Sequence, residues 1–296
     1  MLPVNLALVS EVKGHDPGDV ARVAAALQRQ ATRDFGPIWD VKASVNAFPS
    51  LKDVPAGYWP MIVKQDINTP GAAGVHEDKN GQPFALIAMS DSWSLTASHE
   101  MLEMLGDPFG RRTVPGKSPK RGQGRVEFLV EVCDPSESEK YAYTVNDILV
   151  SDFYTPRFFD PVKVAGVRYS YTGAIKGPRQ ILQGGYLSWH DPVSDHWWQQ
   201  IWFGAKKQYR DLGVFDATAG SVRAWVDTQT QHPGIDQGLN KTNQVLKDAV
   251  TVGKETAAAG TAQARVLQAR ISALTGKPGS PREFVNRAMS KKARNA

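Results

Sequence analysis

An α+β fold is what this chain of 296 residues predicts. Three observations lead there. Apolar runs with the two-residue period of strands alternate with segments of helical period over residues 1–106. Residues 107–218 read as short strands between turns. From about residue 219 the chain becomes Ala-, Gln- and Lys-rich with thin apolar stripes. The expected organisation is a mixed sheet with a backing helix and a second, chemistry-bearing helix (1–106), a β-rich unit that completes the site (107–218), a helical extension (219–275) and a basic, weakly ordered tail (276–296).

Residues 3–12, with Val4, Leu6, Leu8, Val9 and Val12, form a buried strand in this reading. Asp16-Pro17-Gly18-Asp19 supplies a turn and a helix N-cap. Val20, Val23, Ala24, Leu27 and Ala31 then recur at helical spacing, giving an amphipathic helix over 19–34. Val41–Phe48 alternates as a strand, and Met61–Ile67 is the next. Residues 68–82 read as loop, because Pro70-Gly71 and Asn80-Gly81 are turn signals. Pro83–Met89 is a fourth strand, and a helix over 94–105 follows at once. Residues 107–124, rich in Gly, Pro, Lys and Arg, read as an exposed loop. Glu127–Asp134 reads as a strand, with Glu127, Leu129, Glu131 and Cys133 on one face. Tyr141–Val150 resembles a hairpin turning at Asn146-Asp147. The tryptophan-rich stretch Tyr186–Phe203 reads as another, turning at 191–195, with His190 and His196 as structural residues beside its turn. Residues 236–256 and 257–275 read as helices. Their stripes, such as Leu267, Ile271 and Leu274, suit packing on a partner or on another copy.

Hydrophobic residues make up 41% and charged residues 22%, as in ordinary globular proteins. No apolar run approaches the roughly 20 residues that span a bilayer. The N-terminus lacks the basic region of a signal peptide. Cys133 is the only cysteine, which excludes an intrachain disulfide and suggests a cytoplasmic setting, with delivery by a non-classical or phage route as the alternative. The net charge of +5 is uneven: residues 241–296 carry 11 Lys/Arg against 3 Asp/Glu, hence +8, and the remainder carries 24 against 27, hence −3. Nucleic-acid binding through this tail is disfavoured, because aromatics are not interleaved with its basic residues.

The chemistry concentrates in His99-Glu100-Met101-Leu102-Glu103, an HExxE pattern. On a helix, His99 and Glu103 share a face, with Glu100 beside them. Two such side chains can hold a metal, and an adjacent glutamate can take a proton from metal-bound water. The rest of the helix is apolar, with Leu95, Ala97, Met101, Leu102, Met104 and Leu105, so these polar groups are expected to be at least partly buried. Buried carboxylates need partners or a metal. A structural hydrogen-bond cluster is the competing expectation. A third ligand is sought among Glu131, Asp134 and Asp152, preferred in that order. Glu131 leads because it lies in an otherwise apolar strand. His76-Glu77-Asp78 is read as part of a turn.

The helix resembles the active-site helix of zincin metallopeptidases, with Glu103 where HExxH has its second histidine. The preceding order of strand, backing helix, three strands and active-site helix is similar to the N-terminal subdomain of the metzincins. Gly106 falls three residues after Glu103, as in HExxHxxGxxH, but Phe109 stands where that pattern has its third histidine. The run from Ser98 to Pro108, with Glu131-Val-Cys-Asp134 and Val150-Ser-Asp-Phe153, also looks like a family of uncharacterised bacterial and phage proteins. The zincin resemblance implies a divalent metal, zinc first. The His/carboxylate set also suits manganese, iron or calcium. The implied activity is hydrolysis of peptide or related amide bonds, with His99, Glu103 and Glu131 or Asp134 as ligands and Glu100 as general base. The alternative is a non-catalytic zincin scaffold, an assembly or phage-particle component acting through its C-terminal extension.

Overall fold

Strand β1 (Val4–Ser10) lies inside the first sheet. Strands β2 (Ala43–Phe48) and β3 (Tyr58–Lys64) pair with it in parallel on either side. Leu6, Ala7, Leu8 and Val9 expose no surface, as expected of a parallel strand covered on both faces. β5 (Gln82–Ala88) extends the sheet in parallel beyond β3, and β4 (Gly74–Lys79) closes it in antiparallel, giving the order β2-β1-β3-β5-β4. The computed structural model describes residues 3–69 and 72–230. The helical segments expected over 236–256 and 257–275, and the basic tail, lie outside the described residues. So does most of the expected extension from 219.

Helix α1 (Pro17–Arg29) begins at Asp16, whose carboxylate accepts the Gly18 N–H at 2.8 Å. A wider, π-type turn over Gln30–Phe35 and the short α2 (Gly36–Trp39) return the chain to β2. The helix expected over 19–34 therefore changes pitch after Arg29. The wider turn points both Gln30 and Asp34 inward, and inserted turns of this kind tend to mark sites with a special demand on side-chain direction. Helix α3 (Trp93–Gly106) follows β5 directly.

Both helices lie on one face of the sheet. Val20, Val23 and Leu27 of α1 and Ala97, Met101 and Leu105 of α3 share a core with Leu6, Leu8, Met61, Val63, Ala85 and Ile87. The opposite face is covered by smaller clusters around Ile62, Phe84 and Leu86 and around Ala7, Val9 and Val54.

Three expectations are corrected. Residues 68–82 are not all loop, because β4 occupies 74–79. The two-residue turn Asn80-Gly81, with φ of 54° and 78°, makes it one arm of a hairpin with β5. Residues 107–124 hold a further strand, β6 (Thr113–Lys117). The strand expected over 127–134 is β7 (Arg125–Leu129) and stops before Glu131. The chain then bends, and a 3-10 turn begins at Asp134. Glu127 stays on the surface while Glu131 and Asp134 turn inward.

The Tyr141–Val150 hairpin is present as β8 (Tyr143–Val145) and β9 (Ile148–Val150), turning through positive φ at Asn146 and Asp147. The tryptophan-rich hairpin forms β10 (Tyr186–Asp191) and β11 (His196–Ile201). With β12 (Gln208–Gly213) they build an antiparallel sheet of order β12-β11-β10-β7-β6. Helix α4 (Val222–Gln229) ends the described chain and packs Trp225 and Val226 on Leu129 and Trp197. The fold is thus mixed α/β, with one mixed and one antiparallel sheet. Among the described residues no helix is long and apolar enough to cross a membrane.

A polar network fastens the inner face of the helices to the second half of the chain. Gln30 accepts from the Ser98 hydroxyl at 2.8 Å and donates to the Ser151 carbonyl at 3.0 Å. Asp34 accepts from the Tyr171 and Tyr143 hydroxyls at 2.7 and 3.0 Å and pairs with Arg33. Burial pushes the Asp34 carboxyl up, but the bonds from Arg33, Tyr171 and Tyr143 outweigh it and hold it below the usual range. The bonds to ionised Asp34 therefore stabilise the fold fully above the ordinary aspartate value of about 3.9 and are lost as pH falls through the lower folded value. We expect Asp34→Asn to cost about 1.5–3 kcal/mol at neutral pH, as for hydrogen bonds to a charged group. Denaturant titrations should show the deficit shrinking as pH falls below the ordinary aspartate value of about 3.9 and through the lower folded value. A deficit that does not depend on pH would mean the charge contributes nothing.

Candidate metal centre

Helix α3 positions the centre. Its residues His99, Glu100 and Glu103 project toward β4, toward the bend after β7 and toward α4. Glu103 exposes none of its surface and Glu100 3%. His99 is the outermost of the three, with 14% of its side chain exposed.

His99 Nε2 stands 3.3 Å from Glu103 Oε1 and 3.3 Å from Asp134 Oδ1. Both separations exceed the roughly 2.7–2.9 Å of a well-made charge-assisted hydrogen bond. They match the edge of a tetrahedron of ligands around an ion with bonds of roughly 2.0–2.1 Å, which is about 3.3 Å. The two Asp134 carboxylate oxygens are buried without a hydrogen-bond donor. Each pair, His99 with Glu103 and His99 with Asp134, therefore has the spacing of metal ligands, while the three-residue groups whose ligand atoms all lie within 4.8 Å of one another among the described residues are His99 with Glu103 and Cys133, His76 with Glu100 and Glu103, and Glu103 with Glu131 and Asp134. The Cys133 Sγ also lies within 4.8 Å of the ligand atoms of His99 and Glu103, and the Cys133 N–H donates to Glu103 Oε1 at 3.3 Å.

The other sequence-derived residues fall around this group. Glu131 is buried and meets the guanidinium of Arg223. Its carboxylate also lies within 4.8 Å of ligand atoms of Glu103 and Asp134. Asp152 accepts the Thr172 N–H at 2.9 Å and is in none of the potential metal groups found among the described residues. His190 pairs with Asp195 and His196 with Asp211, each at 2.9 Å at the ends of the tryptophan-rich hairpin.

Two functional-looking residues escaped the sequence reading. His76 is fully buried on β4, its Nδ1 3.4 Å from Glu100 Oε2 and 3.7 Å from Glu103 Oε2. Its Nε2 lies 3.3 Å from the Asp107 carbonyl. A carbonyl only accepts, so Nε2 is the donor and Nδ1 faces the glutamates. The alternation of β4 held the signal, because buried Val75 and the hairpin turn at 80–81 mark an arm that carries His76 inward. Arg223, 4% exposed, places Nη1 2.6 Å from Glu103 Oε2 and 3.6 Å from Asp134 Oδ2, and its Nε donates to Asp227 at 2.8 Å. A lone cation amid Val222, Trp225 and Val226 was its trace in the sequence.

Glu77, Glu100, Glu103, Glu131, Asp134, Glu137 and Asp227 thus surround Arg223, His76 and His99. The acids outnumber the cations. Burial, then the charge of Glu103, push the Asp134 carboxyl well up. Burial raises Glu137 to about 8 and Glu77 to about 7. Glu103 goes the other way: burial opposes it, but Arg223 and His99 hold it below the usual range. Burial works against the His99 charge, and Glu103, Cys133 and Asp134 more than offset that, keeping its pKa well above the usual value. A surplus of buried carboxylate is an environment that favours an added cation.

Close approach of β4 to α3 depends on Gly74. A Cβ there would lie 2.6 Å from Glu100 Oε1 and 2.6 Å from Thr96 Cγ2. Gly74→Ala should cost about 1–3 kcal/mol, as overpacking does, and should displace Glu100. Thermal or denaturant unfolding checks the cost. An unchanged midpoint would show that β4 yields freely.

No protein-family model matches the chain, and neither does any curated protein or solved structure.

Proposed function

We propose that this chain is a metal-dependent hydrolase of peptide or related amide bonds, with a zincin-like helix supplying its centre. His99, Glu103 and Asp134 hold a divalent ion, zinc in the first instance, with manganese, iron or calcium as the harder alternatives that two carboxylates admit. The observation that carries the reading is the pair of 3.3 Å separations from His99 Nε2 to one oxygen of each carboxylate. When bound, the ion would polarise the substrate carbonyl and make water more acidic. The protein groups do the rest. Glu100 Oε2, buried and without a hydrogen-bond donor, takes the proton from the attacking water. His76 Nδ1 stands 3.4 Å behind it and steadies the carboxyl once protonated. The exposed edge of His99 is the side from which a substrate reaches the centre.

A second reading has its own observation. Arg223 gives Glu103 and Glu131 a buried cation partner, and Cys133 lies close enough to add a fourth ligand. A closed, non-catalytic site in an assembly protein, phage-related or otherwise, fits those facts. In it the C-terminal extension meets a second copy or a protein partner.

Two variants separate the readings. His99→Ala is expected to lose the metal, measured by elemental analysis of the full chain, and to lose the added stability that bound metal confers. Metal content equal to that of the wild type would remove His99 from the ligand set. Glu100→Gln is nearly isosteric and cannot take the proton. It is expected to keep metal and melting temperature while amide hydrolysis falls about 10²–10⁴-fold. Loss of metal and fold together would instead make Glu100 a structural residue, as the non-catalytic reading requires.

A further inference from the structure

The two ligand carboxylates are each shared between two cationic side chains. Their inner oxygens, Glu103 Oε1 and Asp134 Oδ1, face His99 Nε2 at 3.3 Å. Their outer oxygens, Glu103 Oε2 and Asp134 Oδ2, face Arg223 Nη1 at 2.6 and 3.6 Å. We infer that Arg223 is a positioning residue for the cation site, its hydrogen bond holding the outer oxygen of Glu103 and its charge standing beside the outer oxygen of Asp134, so that each carboxylate offers one oxygen beside His99. The inference rests on the metal reading above and adds a device that selects coordination number.

A carboxylate left to itself can bind a cation through both oxygens, and calcium is commonly held that way with six to eight oxygens. A guanidinium bonded to the far oxygen of Glu103 removes that option there, and its charge beside Asp134 Oδ2 disfavours a cation at that oxygen. Each carboxylate then supplies one inner ligand, and the set suits a four-coordinate ion such as zinc over calcium. Groups that hold metal ligands from behind set both their direction and their basicity. In a loaded site the positive charge would also draw electron density from the anionic ligands, and so would leave the ion a stronger Lewis acid.

The protein fixes Arg223 at several points. Its Nε donates to Asp227 Oδ2 at 2.8 Å, and its guanidinium meets Glu131. Its backbone N–H donates to the Gly110 carbonyl at 2.9 Å. Gly110 has φ of +59°, and a Cβ there would come within 2.7 Å of the Arg223 Cβ. Only glycine meets both conditions. Trp225 and Val226 seal the helix onto Leu129 and Trp197. The cation site is therefore completed by a helix 120 residues beyond Glu103 in sequence.

Cobalt(II) titration of the full chain tests this, because four-coordinate cobalt absorbs strongly in the visible and higher-coordinate cobalt weakly. The wild type is expected to bind one cobalt at the His99 site with a strong band. Arg223→Gln should bind about 10- to 100-fold more weakly, as loss of such supporting partners does, and with a weakened band. Arg223→Lys keeps the charge without the planar fork and should recover part of both. Asp227→Asn loosens Arg223 without touching a ligand. It should shift affinity and spectrum in the same direction by less, which keeps the test alive if Arg223→Gln fails to fold by circular dichroism. Unchanged or tighter binding with an unchanged band in the Arg223 and Asp227 variants would overturn the inference and make the guanidinium a competitor of the ion. A wild type that takes up no cobalt would overturn the metal reading and this inference with it. Cobalt bound equally by the wild type and His99→Ala would overturn the placement of both.

Discussion

Buried carboxylates without enough cations are the constraint around which this molecule is arranged. Glu103 and Asp134 expose essentially no surface, and their charge cannot be relieved by water. Arg223 answers part of it, and that answer dictates much of the surrounding architecture. The last described helix must reach back to the middle of α3. Gly110 must let it approach, and Trp225 and Val226 must anchor it on the second sheet. The bend after β7 has the same origin, since it turns Glu131 and Asp134 toward the helix while Glu127, two turns of the strand pattern earlier, stays at the surface.

The two sheets divide the labour. The first carries α3 directly after β5 and packs Ala97, Met101 and Leu105 against its strands. The second brings acids and the arginine from two separate stretches of chain, the bend after β7 and α4. The polar contacts of Gln30, Asp34, Ser98 and Ser151 keep the halves in register at the side of α3 away from Arg223. A substrate arriving at His99 would therefore meet a centre whose groups are held from several directions. That is the preorganisation catalysis needs, and it is equally what a structural site needs. Glu100 and His76 are where the two uses differ, since a structural site has no need of a buried carboxylate that lacks a donor.

Much of the architecture was legible because it depends on local pattern. The period of α1, the strands β1, β2, β3 and β5, and the two hairpins at Asn146-Asp147 and 191–195 follow from side-chain alternation and turn chemistry. HExxE placed His99 and Glu103 on one helical face, and the acids at 131 and 134 were within the span that the bend brings to them. What failed to show was whatever competed with a stronger local signal. Gly and Asn around β4 read as loop, so His76 was assigned to a turn. Gly and Pro in 107–124 concealed β6. A strand continued by alternation to Asp134 missed the bend.

By itself, then, the sequence determined most of the elements and the helical face that His99 shares with Glu103, because those depend on neighbours a few residues apart. Only the tertiary structure decided which acids meet His99, that Asp134 shares its two oxygens between His99 and Arg223, and that His76 stands behind Glu100. Those choices depend on where a bend, an edge strand and a distant helix come to rest. The physical reason is that charge buried at one point must be balanced in space, and space is filled from anywhere along the chain.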